Sequence, residues 1–121
     1  MESQIRSYED LKIWQRSISL SQNIYRITRN FPREEIYGLT SQLRRCAVSV
    51  PSNIAEGQAR QHTKEFIQFL YQARGSLAEL DTQLIIAKEV GYLSEESLAP
   101  LRAEISEIRK MIHALVRKLT D

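Results

Sequence analysis

Residues able to perform covalent or metal chemistry are few and isolated in this sequence. Of the two histidines, His62 stands in a polar segment and His113 among apolar neighbours. No Glu-x-x-His pair of the kind that holds a di-metal centre in a helical bundle occurs, and there is no glycine-rich phosphate loop. The single cysteine, Cys46, lies on an apolar helical stripe and is predicted to be a buried hydrophobe. The sequence therefore predicts no catalytic residues, no metal and no cofactor, and disfavours an enzyme.

Charged side chains offer the remaining chemistry. Arg45, Glu56 and Glu79 are predicted to form a paired, partly buried charge network with a structural role. The chain carries 17 Lys and Arg against 15 Asp and Glu, and its net charge of +2 falls short of the signature of a nucleic-acid-binding monomer.

The basic residues are nevertheless clustered. The candidates for nucleic-acid binding are Arg26, Arg29 and Arg33 near the end of a first helix, and Arg109, Lys110, Arg117 and Lys118 late in a last one. Neither cluster is interleaved with aromatic residues, so contacts would be made to phosphates and would be largely independent of sequence. A simpler explanation for the last helix is that acids early and bases late complement the helix dipole.

The spacing of apolar residues predicts the helices that would position these charged side chains. It predicts an all-α chain with four helices, at about residues 8–30, 33–57, 63–90 and 95–119. Two of these helices carry unbroken heptad seams, Phe66, Leu70, Ala73, Leu77, Leu80, Leu84 and Ala87 on the third and Leu98, Leu101, Ile105, Ile108, Ile112, Leu115 and Leu119 on the fourth. Short connections then predict an antiparallel, up-down-up-down four-helix bundle.

The second helix contains a proline in mid-pattern. Pro51 removes the hydrogen bond to the carbonyl of Ala47, which predicts a kink, while the in-phase apolar stripe favours one bent helix. The alternative is a break with Ser52 as a new cap. Polar side chains that could bond the freed carbonyl are Ser49, Ser52 and Asn53. Gly57 is predicted to end this helix in a left-handed cap, and Thr63 to cap the next.

Additional apolar residues lie outside the seams. They are Val48, Pro51 and Ala55 on the second helix and Ile67, Tyr71, Ala78 and Ile85 on the third. On a monomer these stripes would face water, which indicates more apolar surface than a monomer ordinarily exposes. We therefore predict a closed cyclic oligomer that uses these residues as its interface.

Composition limits the remaining possibilities. The 121 residues are predicted to form a single domain, residues 1–121, and a hydrophobic content of 42% suffices for one core. No apolar run approaches the ~18 residues of a membrane span. The first ten residues, MESQIRSYED, lack the apolar segment of a signal peptide. The expectation is a soluble, cytoplasmic protein without a membrane partner.

The run from Gln42 to Gly57, QLRRCAVSVPSNIAEG, contains Arg45, Pro51, Asn53, Glu56 and Gly57. It resembles the hallmark of a bacterial four-helix-bundle family named after proteins encoded in intervening sequences of 23S ribosomal RNA genes. Similar flanking positions are LKIWQ at residues 11–15, Phe31-Pro32, Tyr37-Gly38-Leu39, Glu65-Phe66, Gly75-Ser76-Leu77 with Glu79-Leu80, and Gly91-Tyr92-Leu93. The resemblance covers about residues 8–119.

The resemblance implies an assembly and a set of partners. It implies a homopentamer, and kinship with the accessory protein of diversity-generating retroelements, which binds nucleic acid and a reverse transcriptase. Copies of the chain itself, RNA or DNA, and a reverse transcriptase are therefore the expected partners. Two hypotheses follow: a non-enzymatic, oligomeric, nucleic-acid-binding accessory protein, or a protein-interaction scaffold or adaptor without affinity for nucleic acid.

Overall fold

A computed structural model describes residues 7–121. Its four helices are α1 (Lys12–Thr28), α2 (Leu39–Ala59), α3 (Thr63–Glu89) and α4 (Glu95–Thr120), with short 3₁₀ turns at Tyr8–Asp10 and Arg33–Glu35. Each helix packs on the next along the chain, and α1 closes the arrangement against α4. This confirms the predicted antiparallel four-helix bundle.

The described residues test the prediction about membrane spans but not the one about a signal peptide. Within it, no helix is both long enough and apolar enough to cross a lipid bilayer. The prediction about a signal peptide rests largely on residues 1–6, which lie outside the described residues.

The heptad seams form the core, as predicted. Leu77 and Leu84 of α3 and Ile108 and Ile112 of α4 are completely inaccessible to solvent. The seam residues at the bundle ends, Phe66, Leu115 and Leu119, are partly buried against this core. The long helices are well predicted because their apolar period is uninterrupted over many turns.

The proline in α2 is accommodated by a neighbouring helix. The hydroxyl of Ser21 on α1 lies 3.1 Å from the carbonyl oxygen of Ala47, the group that Pro51 deprives of its helical partner. This hydroxyl also lies 3.0 Å from the carbonyl oxygen of Ser17, so its proton is shared between the two acceptors. α2 therefore continues unbroken through Pro51, and the alternative of a break at Ser52 is wrong.

The proposed local partners of that carbonyl are also wrong. The hydroxyl of Ser49 instead donates to the carbonyl of Cys46 at 2.6 Å and contacts the hydroxyl of Ser76 on α3 at 2.7 Å. The amide of Asn53 donates to the carbonyl of Ser49 at 2.8 Å.

The start of α2 lies later than predicted. The residues directly after Pro32 form only the 3₁₀ turn Arg33–Glu35, and α2 begins at Leu39. The carboxylate of Glu35 accepts a hydrogen bond from the backbone N–H of Leu39 at 2.9 Å and thus satisfies a free amide of the first turn. Similarly, α1 begins at Lys12 after a 3₁₀ turn that Ser7 caps.

Two predicted helix caps are wrong. Gly57 lies inside α2, which ends at Ala59, and the one positive φ among the described residues belongs to Gly91. Thr63 is already helical and makes no capping hydrogen bond. The left-handed residue after α3 is Gly91: its φ is 90°, and the N–H of Tyr92 donates to the carbonyl of Ala87 at 2.9 Å, as in a Schellman motif.

Gly57 serves helix packing instead of capping. A Cβ atom at this position would lie 2.6 Å from the Cβ of Phe69 and 3.1 Å from the ring of Phe66, both on α3. Only a residue without a side chain allows α2 and α3 to approach this closely.

The first prediction compares two helical glycines. Gly57→Ala should lower the free energy of unfolding by about 1–3 kcal/mol, because the new methyl group forces the two helices apart. Gly75→Ala should instead raise it by about 0.5–1 kcal/mol, because a Cβ there meets nothing within 4 Å and alanine stabilises an exposed helix. Urea unfolding of both variants tests this. Equal effects at the two positions would contradict close packing at Gly57.

The second prediction concerns pH. The Leu39 N–H and then the Tyr92 hydroxyl, at 2.9 Å, lower the pKa of Glu35 from its ordinary 4.5. The same carboxylate raises the pKa of Tyr92 above 10.0. The stability that ionised Glu35 contributes to the fold is therefore lost as the pH falls below 4.5. The stability that protonated Tyr92 contributes is lost as the pH rises above 10.0.

Tyr92→Phe removes this hydrogen bond and provides the test. The difference in unfolding free energy between wild type and variant should be largest between these two pH limits and should shrink on both sides. A difference that is constant across pH would mean that the hydrogen bond contributes nothing to stability.

Candidate nucleic-acid interface

A groove between α3 and α4 gathers basic side chains. Arg102, in the first half of α4, pairs with Asp81, in the second half of α3, through two contacts of 2.8 and 3.1 Å. Adjacent to this pair lies a groove of about 360 Å³, lined by Arg74, Arg109, Lys110, His113 and Arg117. No carboxylate belongs to this lining, so the groove is a concentrated site of positive charge.

The cations of this α3–α4 groove have no acidic partners. Among residues 7–121, the basic members of ion pairs are Arg16, Arg60, Lys88 and Arg102, and none of these lines the groove. The guanidinium of Arg74 lies over the ring of Tyr71, 4.8 Å from its centroid. The flat face of the guanidinium is thus in contact with the ring, while the N–H groups at its edge are free to bind a ligand.

The structure changes the membership of the predicted α4 cluster. Arg109, Lys110 and Arg117 line the groove, whereas the exposed Lys118 does not. Arg74 and His113 were missed. Arg74 belongs to another helix, and the only signal in the sequence was its spacing of seven residues from Asp81, which places both on the side of α3 that faces α4.

A second basic groove lies between α1 and α2. It has a volume of about 400 Å³, and its basic lining residues are Arg29, Arg33 and Arg44. Arg44 was not among the predicted binding residues. Its Nε donates to the hydroxyl of Thr28 at 2.8 Å, and its guanidinium lies 4.8 Å from the centroid of the Tyr25 ring. The predicted Arg26 lies beside this groove, in a depression that it shares with Tyr25 and Arg29.

The two predicted basic clusters therefore do not meet within one chain. The α3–α4 groove and the α1–α2 groove lie between different pairs of helices, on opposite sides of the bundle. A single straight nucleic acid contacts only one of them on a given subunit.

The predicted charge network is absent. Arg45 and Glu79 line one groove between α2 and α3, but the structure joins them by no ion pair. Glu56 instead pairs with Arg60 at 3.2 Å, and Glu79 accepts from the side-chain amide of Gln83 at 3.3 Å. Arg45 and Glu56 share a helical stripe but are eleven residues, or about 16 Å, apart along it.

Cys46 is buried, as predicted. Its thiol donates to the carbonyl of Ser76 at 3.1 Å. Burial, followed by the negative charge of Glu79, raises the pKa of Cys46 to about 12, which disfavours the thiolate that nucleophilic or redox chemistry needs. In the described part of the chain, no three His, Cys, Asp or Glu side chains come together as a metal site would require.

The predicted interface residues occupy two opposite faces. Val48, 41% exposed, lies one turn after Arg44 on the side of α2 that faces α1. Ala78, which is exposed, lies between Arg74 and Asp81 on the side of α3 that faces α4. Of the other candidates, Tyr71 is 42% exposed, Ala55, Ile67 and Ile85 are half-buried, and Pro51 is already buried within the single chain.

Comparison with known proteins identifies the family. No curated protein matches the chain. A similar solved structure is a protein of unknown function from the S23 ribosomal protein family of Bacteroides thetaiotaomicron, which is 20% identical, covers 86% of this chain and 97% of its own, and has a TM-score of 0.77. At that identity the similarity shows the fold alone. The family model of the 23S rRNA-intervening sequence protein matches residues 9–114, and the chain therefore belongs to that family.

Proposed function

We propose that this protein is a non-enzymatic, self-associating helical bundle that binds RNA or DNA through the phosphate backbone in the cytoplasm. The observation that carries the proposal is the α3–α4 groove, whose lining is entirely basic and unpaired. Family membership adds support, because the family takes its name from sequences within an RNA gene. A reverse transcriptase is the protein partner that the family resemblance suggests.

The charge arrangement favours phosphates as the ligand. Like charges collected in one groove repel each other, and a bound anion would relieve this repulsion. A polyphosphate backbone supplies several negative charges at regular spacing and releases its counterions on binding. Arginine is suited to this role because its planar fork of donors matches phosphate oxygens.

Self-association would multiply this charge. The exposed apolar residues Val48 and Ala78 lie on opposite faces, which suits a head-to-tail contact that closes into a ring. Five subunits, the number taken from the family resemblance, would carry five times +2, or +10. Such a ring would place a basic groove beside each contact between subunits.

A scaffold without affinity for nucleic acid is the second candidate function. It is favoured by Tyr37, which is 95% exposed at the edge of the α2–α3 groove, and by the exposed Ile86 on α3 and Val90 just after it. Exposed tyrosines and aliphatic residues are typical anchors of protein interfaces.

The third prediction tests nucleic-acid binding. Wild-type protein should bind labelled RNA and DNA at about 50 mM salt and lose orders of magnitude in affinity at about 200 mM, because phosphate contacts release counterions. Reversing charge in the groove with Arg109→Glu and Arg117→Glu should abolish binding. The matched control reverses two exposed lysines outside both grooves, Lys12→Glu and Lys64→Glu, and should retain most of the affinity. Failure of wild type to bind at low salt would favour the scaffold.

The fourth prediction tests self-association. Ala78→Glu should shift the protein from an oligomer towards a monomer in light scattering, because it would bury an unpaired charge in the interface. Gln72→Glu introduces the same charge at an exposed position on another side of α3 and should leave the mass unchanged. A monomeric wild type at micromolar concentration contradicts the proposed assembly.

A further inference from the structure

We infer that the α3–α4 groove is built for the backbone of a duplex and not for an unstacked single strand. This inference rests on the proposed function and adds the class of nucleic acid. It follows from three features of the groove: the aromatic groups it lacks, the length of its row of cations, and the fixed arginine on its opposite wall.

The groove offers few surfaces on which bases could stack. Proteins that hold single strands combine basic grooves with several aromatic rings, one for each of a series of bases. Here the lining contains a single ring, the imidazole of His113. The nearby Tyr71 has one face covered by the guanidinium of Arg74. A single strand would therefore gain charge neutralisation but little stacking energy.

The row of cations on α4 matches a dense line of phosphates. From Arg109 to Arg117 the helix rises about 12 Å, at 1.5 Å per residue, with Lys110 as the third cation of the row. Over that length a duplex carries about seven phosphates on its two strands, and one strand at the same rise carries about half as many. The linear charge density that the row faces is thus about twice as high on a duplex.

Arg74 supplies a contact point on the second wall. Arg74 on α3 and the row on α4 flank one groove of about 360 Å³, and the two backbones of a duplex likewise flank grooves about 6–12 Å wide. Phosphates of the two strands across one groove can then be contacted from the two helices. A single strand has no second backbone at that distance.

Tyr71 acts in this arrangement as a positioning residue for Arg74. Its ring fixes the guanidinium from below at 4.8 Å, which reduces the freedom that Arg74 would lose on binding. Tyr71→Phe keeps the ring and should preserve binding. Tyr71→Leu removes it and should weaken duplex binding and make the dependence on salt less steep, since one phosphate contact is no longer held in place.

The experiment compares a labelled hairpin duplex with a labelled, non-pairing single strand of equal phosphate number, by fluorescence anisotropy over a salt series. Wild type should bind the duplex at least about tenfold more tightly and with a steeper salt dependence. Arg117→Ala should lower the duplex salt slope by about one, whereas Lys118→Ala removes the same charge from the next residue, outside the groove, and should change it little. Circular dichroism establishes that each variant is folded.

The outcomes separate this inference from the proposed function. Equal or tighter binding of the single strand, or equal effects of Arg117→Ala and Lys118→Ala on the duplex, overturns the duplex site while nucleic-acid binding stands. Failure of both ligands to bind wild type at low salt overturns the proposed function itself. Should Tyr71→Leu fail to fold, the comparison of Arg117→Ala with Lys118→Ala decides the matter.

Discussion

The hydrogen bond from Ser21 on α1 to the carbonyl of Ala47 satisfies the group that Pro51 frees within the unbroken helix α2. Pro51 leaves that carbonyl without a helical partner, and an unpaired buried carbonyl costs about as much as a lost hydrogen bond. Because the replacement donor comes from α1, the continuity of α2 is linked to the packing of α1 against it. α2 in turn packs closely on α3 at Gly57. One small hydroxyl thus links α1 to α2, the helices on either side of the second basic groove.

The charges of the molecule fall into two groups with different roles. Arg16 joins α1 to Glu104 of α4 at 2.9 Å, and Arg102 joins α4 to Asp81 of α3 at 2.8 Å, so these cations connect neighbouring helices. The cations of the α3–α4 groove have no such partners. Arg74 and Arg44 are held instead by tyrosine rings, which fix a guanidinium without neutralising it. That difference, more than the net charge, is the reason for proposing a binding surface here.

Periodicity predicted the fold well and the contacts between helices poorly. The seams of α3 and α4 were predicted because each residue obeys one repeat, and their burial follows from it. Gly57 was misassigned because a glycine that ends a helix and a glycine that lets helices approach look alike in sequence. The predicted pairing of Arg45 with Glu56 failed because residues that share a helical stripe can still be far apart along the axis, and Glu79, although it lines the same groove as Arg45, contacts Gln83 instead. Arg74 and the Ser21 bond escaped notice because their partners belong to other helices, and their proximity arises only from packing.

The central claim is that the α3–α4 groove keeps its cations unpaired in order to hold phosphates. Nuclear magnetic resonance of the arginine side chains tests it most directly, by following the Nε–H signals during titration with a short duplex at low salt. The signals of Arg74, Arg109 and Arg117 should shift first and furthest, while those of the ion-paired Arg16 and Arg102 should change little. Equal shifts of the paired and unpaired arginines, or shifts confined to the paired ones, would contradict the account.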